Sequence, residues 1–180
     1  MTFKEYQSSA VRTMVDLGDL RLNLSHMVLG IISENEEFIK AVVNDDMINA
    51  KEEQCDIMWY VANYCNLRNF DLQEICDNMW DAMDNLEDWE QEVSIYDVYS
   101  SKLSDYVKKY IAYGKPLDEK LEMQALQAIV LSLTFEDTSL DFEVDLQKNI
   151  DKLKERYPDK FTNENALNRN LDAERKILEA

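Results

Sequence analysis

Four carboxylates stand out by spacing and surroundings. Glu34 and Glu37 form one acid-x-x-acid pair, Glu53 and Asp56 a second, with the fifteen residues 38–52 between them. An i, i+3 spacing puts both members of a pair on one helical face, and an antiparallel neighbouring helix can bring the two pairs opposite each other. Four converging carboxylates suit a hard divalent cation such as Mg²⁺, which takes oxygen ligands at about 2.0–2.1 Å and shares them with water and substrate phosphates. In outline this is a nucleotide-phosphate site.

Spacing alone does not decide the matter, because Asp16 and Asp19, Asp71 and Glu74, Asp81 and Asp84, and Glu87 and Glu90 repeat it. The two chosen pairs differ in context. Glu34 lies one turn from both Ile31 and Phe38, and Asp56 is the one ionisable group in an otherwise apolar run. A buried carboxylate must be neutral, paired or metal-bound, since leaving it charged and uncompensated costs several kcal/mol. On the residues alone two readings stay open: a solvated acidic face with one hydrogen-bonded buried Asp, or a metal site.

The elements that would position these groups are helices. Three Gly and two Pro in 180 residues leave too few turn formers for a sandwich or barrel, and no Gly-rich phosphate loop. Apolar periodicity predicts helices over 3–16, 20–44, 48–67, 72–92, 95–113, 117–134, 141–156 and 162–178, the last with Leu167, Leu171 and Leu178 on one side. The fold class expected is all-α, a helical bundle. The helix over 48–67 is apolar on almost every side and so central. Laid over the first part with an offset of 71, the second part places Asn149 on Asn78, Gln127 on Asp56 and Gln124 on Glu53, a weak internal repeat.

Nineteen Lys and Arg against thirty-seven Asp and Glu give a formal charge of −18, which opposes binding to a nucleic-acid polymer. Cys55, Cys65 and Cys76 fit neither a zinc motif nor a disulfide framework and read as reduced core residues. No stretch approaches the roughly 18 apolar residues of a membrane helix, and no apolar leader follows Met1, so a cytoplasmic protein without membrane association is expected. The lone His26, between apolar neighbours, reads as a satisfied core histidine, and Trp59 and Tyr60 as core packing.

The chain resembles the MazG-like nucleoside triphosphate pyrophosphohydrolases of the all-α NTP pyrophosphatase superfamily, whose mark is E-x-x-E, a spacer, then E-x-x-D. Glu34-x-x-Glu37 and Glu53-x-x-Asp56 carry it, with Glu5-Tyr6-Gln7, Leu24 to Gly30 and Asp56 to Val61 as supporting text. The tail, Asn149-x-x-Lys152-Leu153-x-x-Arg156-Tyr157-Pro158 and then Ala166 to Arg175, is similar to family tails often seen in phage-encoded members. The sequence also departs from the pattern. About seventy extra residues precede that tail, Asp81 and Asn85 stand where cations are due, and the second repeat has Gln124 and Gln127 in place of acids. A fused pseudo-dimer follows as the simplest account: a lobe over 1–92 with the acids, a degenerate lobe over 93–160 and a C-terminal helix over 161–180, forming one domain.

The resemblance implies Mg²⁺-dependent hydrolysis of (deoxy)nucleoside triphosphates to monophosphate and pyrophosphate, with Mn²⁺ able to substitute. Glu34, Glu37, Glu53 and Asp56 would hold the metal and carry catalysis. Lys152 and Arg156 would hold pyrophosphate, unless they are merely cations favoured at a helix C-terminus. Asn78, Asn149 and Tyr60 would touch substrate. A homodimer is compatible with the family. Two alternatives stand beside this one: an inactive acidic bundle that docks a basic partner or mimics nucleic acid, and the same fold directed to dUTP or dCTP.

Overall fold

The computed structural model describes residues 1–87, 90, 93–136 and 138–180, with Asn85 described by its backbone alone. Among them there is no strand, and the chain is all-α. The helices are α1 (Phe3–Ala10), α2 (Leu20–Val43), α3 (Met47–Arg68), α4 (Leu72–Asp77), α5 (Ile95–Tyr113), α6 (Glu119–Leu133), α7 (Phe142–Arg156), α8 (Asn163–Leu167) and α9 (Leu171–Glu179). No helix among the described residues is long and apolar enough to cross a membrane.

The site rests on the α2–α3 hairpin. Asp19 caps α2 by accepting from the Arg21 and Leu22 amides, and Asp46 caps α3 at the Asn49 amide after a turn in which Asp45 takes a left-handed conformation. Three residues between the helices force them to run antiparallel in contact, which fixes the two acid pairs relative to each other. As its composition predicts, α3 is central. Ile57, Met58, Val61 and Ala62 are buried and join Leu24, Met27 and Ile31 of α2, Leu103 of α5, and Leu126 and Ile129 of α6 in one core.

Polar groups lock the second hairpin, α5–α6, onto this frame. Buried Glu122 of α6 accepts a bidentate pair from Arg68 (2.8 Å each) and a bond from the Tyr64 hydroxyl (2.6 Å). Gln54 of α3, equally buried, donates to the Leu133 carbonyl and accepts from Thr138. The three cysteines are free and buried, in agreement with the sequence reading.

Three expected helices are shorter or broken. The first stops at Ala10 and continues only as a 3₁₀ turn over Val11–Thr13, where the Thr13 hydroxyl bonds the Ala10 carbonyl. The helix expected over 72–92 ends at Asp77, because the Asn78 side chain donates to the Glu74 carbonyl and closes the last turn; a 3₁₀ segment follows over Met79–Asn85. Its expected continuation at 88, 89, 91 and 92 lies outside the described residues. The C-terminal helix is two pieces, because Asn168 bonds back to the Glu164 carbonyl and Asn170 caps a new helix at the Ala173 amide. Its supposed apolar side is not buried: Leu167 and Leu171 are 83% and 62% exposed, and the buried residue of α9 is Glu174.

Candidate active site

Helix α2 presents Glu34 and Glu37 across a cleft of about 630 Å³ shared with Glu52, Glu53 and Asp56 of α3. One carboxylate oxygen from each of Glu34, Glu37 and Glu53 lies within 4.8 Å of the others. Glu34, Glu37 and Glu53 are thus the residues that would hold a hard divalent cation, which takes carboxylate oxygens as ligands. The electrostatics agree with that donor set. Burial, then Asp56 and Glu37, push the Glu34 carboxyl up to about 7. Burial, then Asp56 and Glu52, push Glu53 up to about 9. Carboxyls that repel one another this way are relieved by a divalent cation.

Asp56 lines the same cleft but is held from behind. Lys152 of α7, wholly buried, places Nζ 2.8 Å from both Asp56 oxygens and 3.0 Å from Glu52. Burial alone would lower the Lys152 ammonium; the charges of Asp56 and Glu52 outweigh it and raise it. Asn149, also wholly buried, donates to Asp56 at 2.6 Å while its carbonyl oxygen lies 2.9 Å from the Tyr6 hydroxyl. Two residues one turn apart on α7 thus fix the aspartate's orientation.

The cations of the cleft come from the C-terminal region. Arg156 at the end of α7, Arg169 between α8 and α9, and Arg175 on α9 all line it. Glu174 ties two of them down, accepting from Arg156 (3.0 and 2.5 Å) and Arg169 (2.7 Å). Burial would raise the Glu174 carboxyl, yet the bonds from Arg156 and Arg169 prevail and hold it below the usual range. Arg175 pairs with Asp46 at the start of α3, which seats α9 over the site.

Aromatic groups complete the lining. Trp59 and Tyr60 pack edge to face at 4.9 Å, Tyr60 and His26 at 5.7 Å; all three border the cleft, and Trp59 and Tyr60 also pack against the core, as the sequence reading expects. Burial and the Glu34 charge raise the Tyr60 phenol, so it stays neutral. The Tyr60 ring lies over Gly30, where an added Cβ would stand 2.1 Å from a ring carbon. His26 is half-buried, and its Nδ1 is enclosed without a hydrogen-bond partner. That corrects its reading as a satisfied core histidine: the apolar neighbours in sequence belong to other faces of α2. Burial lowers its pKa and keeps the ring neutral.

Glu34, Glu37, Glu53, Asp56, Tyr60 and Arg156 are therefore brought together, with Lys152 and Asn149 immediately behind. Asn78 is not: it is exposed, spends its amide on Glu74 and does not border the cleft. Glu52, Arg169, Glu174 and Arg175 escaped the sequence reading as site residues. Only the tail text containing the last three hinted at them.

Comparison with known families bears on the same helices. The model of the MazG nucleotide pyrophosphohydrolase domain matches residues 23–87. Over that segment the chain is MazG-like. The matched stretch contains all four acids and the whole of α3, so this MazG-type segment is the hairpin that forms the acidic side of the cleft. No match to a curated protein or to a solved structure was found.

Proposed function

We propose that this MazG-like chain hydrolyses (deoxy)nucleoside triphosphates to monophosphate and pyrophosphate with Mg²⁺, or Mn²⁺ in its place. The observation that carries the proposal is the convergence of Glu34, Glu37 and Glu53 on one point beside an oriented Asp56. Bound there, a divalent ion would supply Lewis-acid neutralisation of phosphate oxygens. A water attacks the α-phosphorus, a new P–O bond forms, and the bond to the oxygen bridging α and β breaks, releasing pyrophosphate. A glutamate of the cluster takes the water's proton.

The arginines receive the phosphate tail, since guanidinium matches phosphate geometry and the acids opposite cannot. Arg156 keeps the role the resemblance implies, joined by Arg169 and Arg175. Lys152, sealed against Asp56 and Glu52, acts as a positioning residue. His26, Trp59 and Tyr60 offer neutral, flat surfaces to the nucleoside.

The same reading makes α5–α6 the degenerate counterpart of α2–α3. In support, α5 packs along α2 and α6 against α3, and Gln127 occupies a buried position where an acid would be due. Purified protein with Mg²⁺ and a panel of nucleoside triphosphates, scored for pyrophosphate release, tests the function. Activity on at least one, dUTP and dCTP included, is expected. No release from any, together with salt-sensitive capture of a basic protein, would point to the inactive acidic bundle.

A further inference from the structure

The cleft has a direction. At the turn of the α2–α3 hairpin Arg175 pairs with Asp46; the acid cluster follows, then Tyr60 lying over Gly30, then His26 one turn of α2 further on. A nucleotide with its phosphate tail among the arginines and its α-phosphorus at the acids therefore points its base towards His26. Eight residues, about 12 Å of helical rise, separate His26 from Glu34, comparable to the span of a nucleoside from its α-phosphorus to the far edge of the base. His26 thus stands where a pyrimidine carries its 4-substituent and a purine its 6-substituent. That substituent is either a carbonyl oxygen, which accepts, or an amino group, which donates.

The three rings at this end differ in what they have left to offer. The Trp59 indole donates to the Thr13 hydroxyl at 2.9 Å, and that hydroxyl is itself spent on the Ala10 carbonyl. The Tyr60 hydroxyl is directed to Glu34. His26 keeps a free nitrogen. Among the described residues, its Nδ1 is the one enclosed side-chain nitrogen or oxygen without a partner, whereas Nε2 is not enclosed and is bonded to no protein atom. A neutral imidazole carries one proton. On Nδ1 it would be a buried N–H without an acceptor, the rarer kind of orphan and a costly one. On Nε2 it meets solvent or a ligand. The edge-to-face contact with Tyr60 holds the ring in this orientation.

We propose that His26, through a proton fixed on Nε2, is the base-specificity residue of this site. It donates to the carbonyl at the 4-position of a pyrimidine or the 6-position of a purine, and so selects uracil, thymine, guanine and hypoxanthine nucleotides over those of cytosine and adenine. The inference rests on the nucleotide reading given above and adds the chemical class of base to it. An exocyclic amino group would set a donor against the Nε2–H and leave neither paired, which is how a polar pocket rejects a near-isostere.

The chain contains a single histidine, so ¹⁵N-histidine labelling leaves one imidazole to follow. Nuclear magnetic resonance of the full chain should show the Nε2–H tautomer, and dUMP with Mg²⁺ should shift the Nε2 resonance at concentrations where dCMP does not. In pyrophosphate release, kcat/KM should favour dUTP over dCTP, and dITP over dATP, by about tenfold or more, and His26→Phe, which keeps a ring against Tyr60, should bring both ratios to within about twofold. His26→Gln, whose amide can turn to donate or accept, should level the ratios by a gain on dCTP and dATP. A proton on Nδ1, equal shifts from dUMP and dCMP, no shift from either, or ratios that His26→Phe leaves unchanged would overturn the inference. The Nε2 shift with dUMP but no pyrophosphate release from any triphosphate would strike the hydrolytic reading and leave the base selection standing.

Discussion

Lys152 Nζ stands 2.8 Å from both carboxylate oxygens of Asp56, with no part of the lysine exposed. The pair joins α7, late in the chain, to α3 of the MazG-type segment, and it couples stability to the site. Removing one member of such a pair leaves the other uncompensated, which typically costs about 3–5 kcal/mol for a fully buried pair. The side chain of Asp56 is 25% exposed, so water offsets part of this.

Lys152→Met should therefore destabilise the fold by roughly 2–4 kcal/mol in urea denaturation. Asp56→Asn should cost a similar amount, and the double variant clearly less than the two together. Additive losses would mean that the two groups do not act as a pair.

The acid cluster predicts an unusual pH dependence. Glu34 and Glu53 titrate in the folded chain at about 7 and about 9, above the ordinary carboxyl range of the unfolded chain. Raised groups contribute stability that is complete below the unfolded pKa and is lost as pH rises through the folded one. The melting temperature of metal-free protein should fall between about pH 6 and 9.5, after ordinary carboxyls have ionised, and the increment given by saturating Mg²⁺ should grow over the same window. Glu53→Gln should flatten both curves. Differential scanning fluorimetry reads each, and a metal-free melting temperature level across this window contradicts the assignment.

Gly30 and Tyr60 are matched by shape. Gly30→Ala would drive a methyl group into the Tyr60 ring, at a cost of about 1–3 kcal/mol, with KM raised as the ring leaves its place at the cleft. Adding Tyr60→Ala should recover much of the stability but not the KM. No recovery would mean that the clash lies elsewhere.

How far the sequence discloses all this depends on what holds each element. Helices α2, α3, α5, α6 and α7 bury apolar stripes, so periodicity finds them, and the acids follow from two adjoining helices. The last segment docks through Glu174 between Arg156 and Arg169, and charge pairing leaves no hydrophobic period to read. Leu167 and Leu171 mislead for the same reason. The burial of Lys152 is equally invisible, since a lysine near a helix end normally reaches solvent and only the tertiary position of Asp56 and Glu52 draws it in. Asn78 stopped a helix whose acidic periodicity continued beyond it.

Glu174 should matter more than a surface acid. Glu174→Gln leaves Arg156 and Arg169 without their shared anchor and should cost about 1–3 kcal/mol while raising KM for the triphosphate more than it lowers kcat. A pure kcat loss would argue that the arginines do not hold the phosphates.

The most direct test is Mn²⁺ binding, followed by electron paramagnetic resonance, in parallel with pyrophosphate release by the wild-type chain and by Glu53→Gln. The account predicts that the wild type binds Mn²⁺ and turns over a nucleoside triphosphate, and that the variant loses both while keeping its thermal transition. A variant that still binds the ion and releases pyrophosphate at the wild-type rate would contradict it.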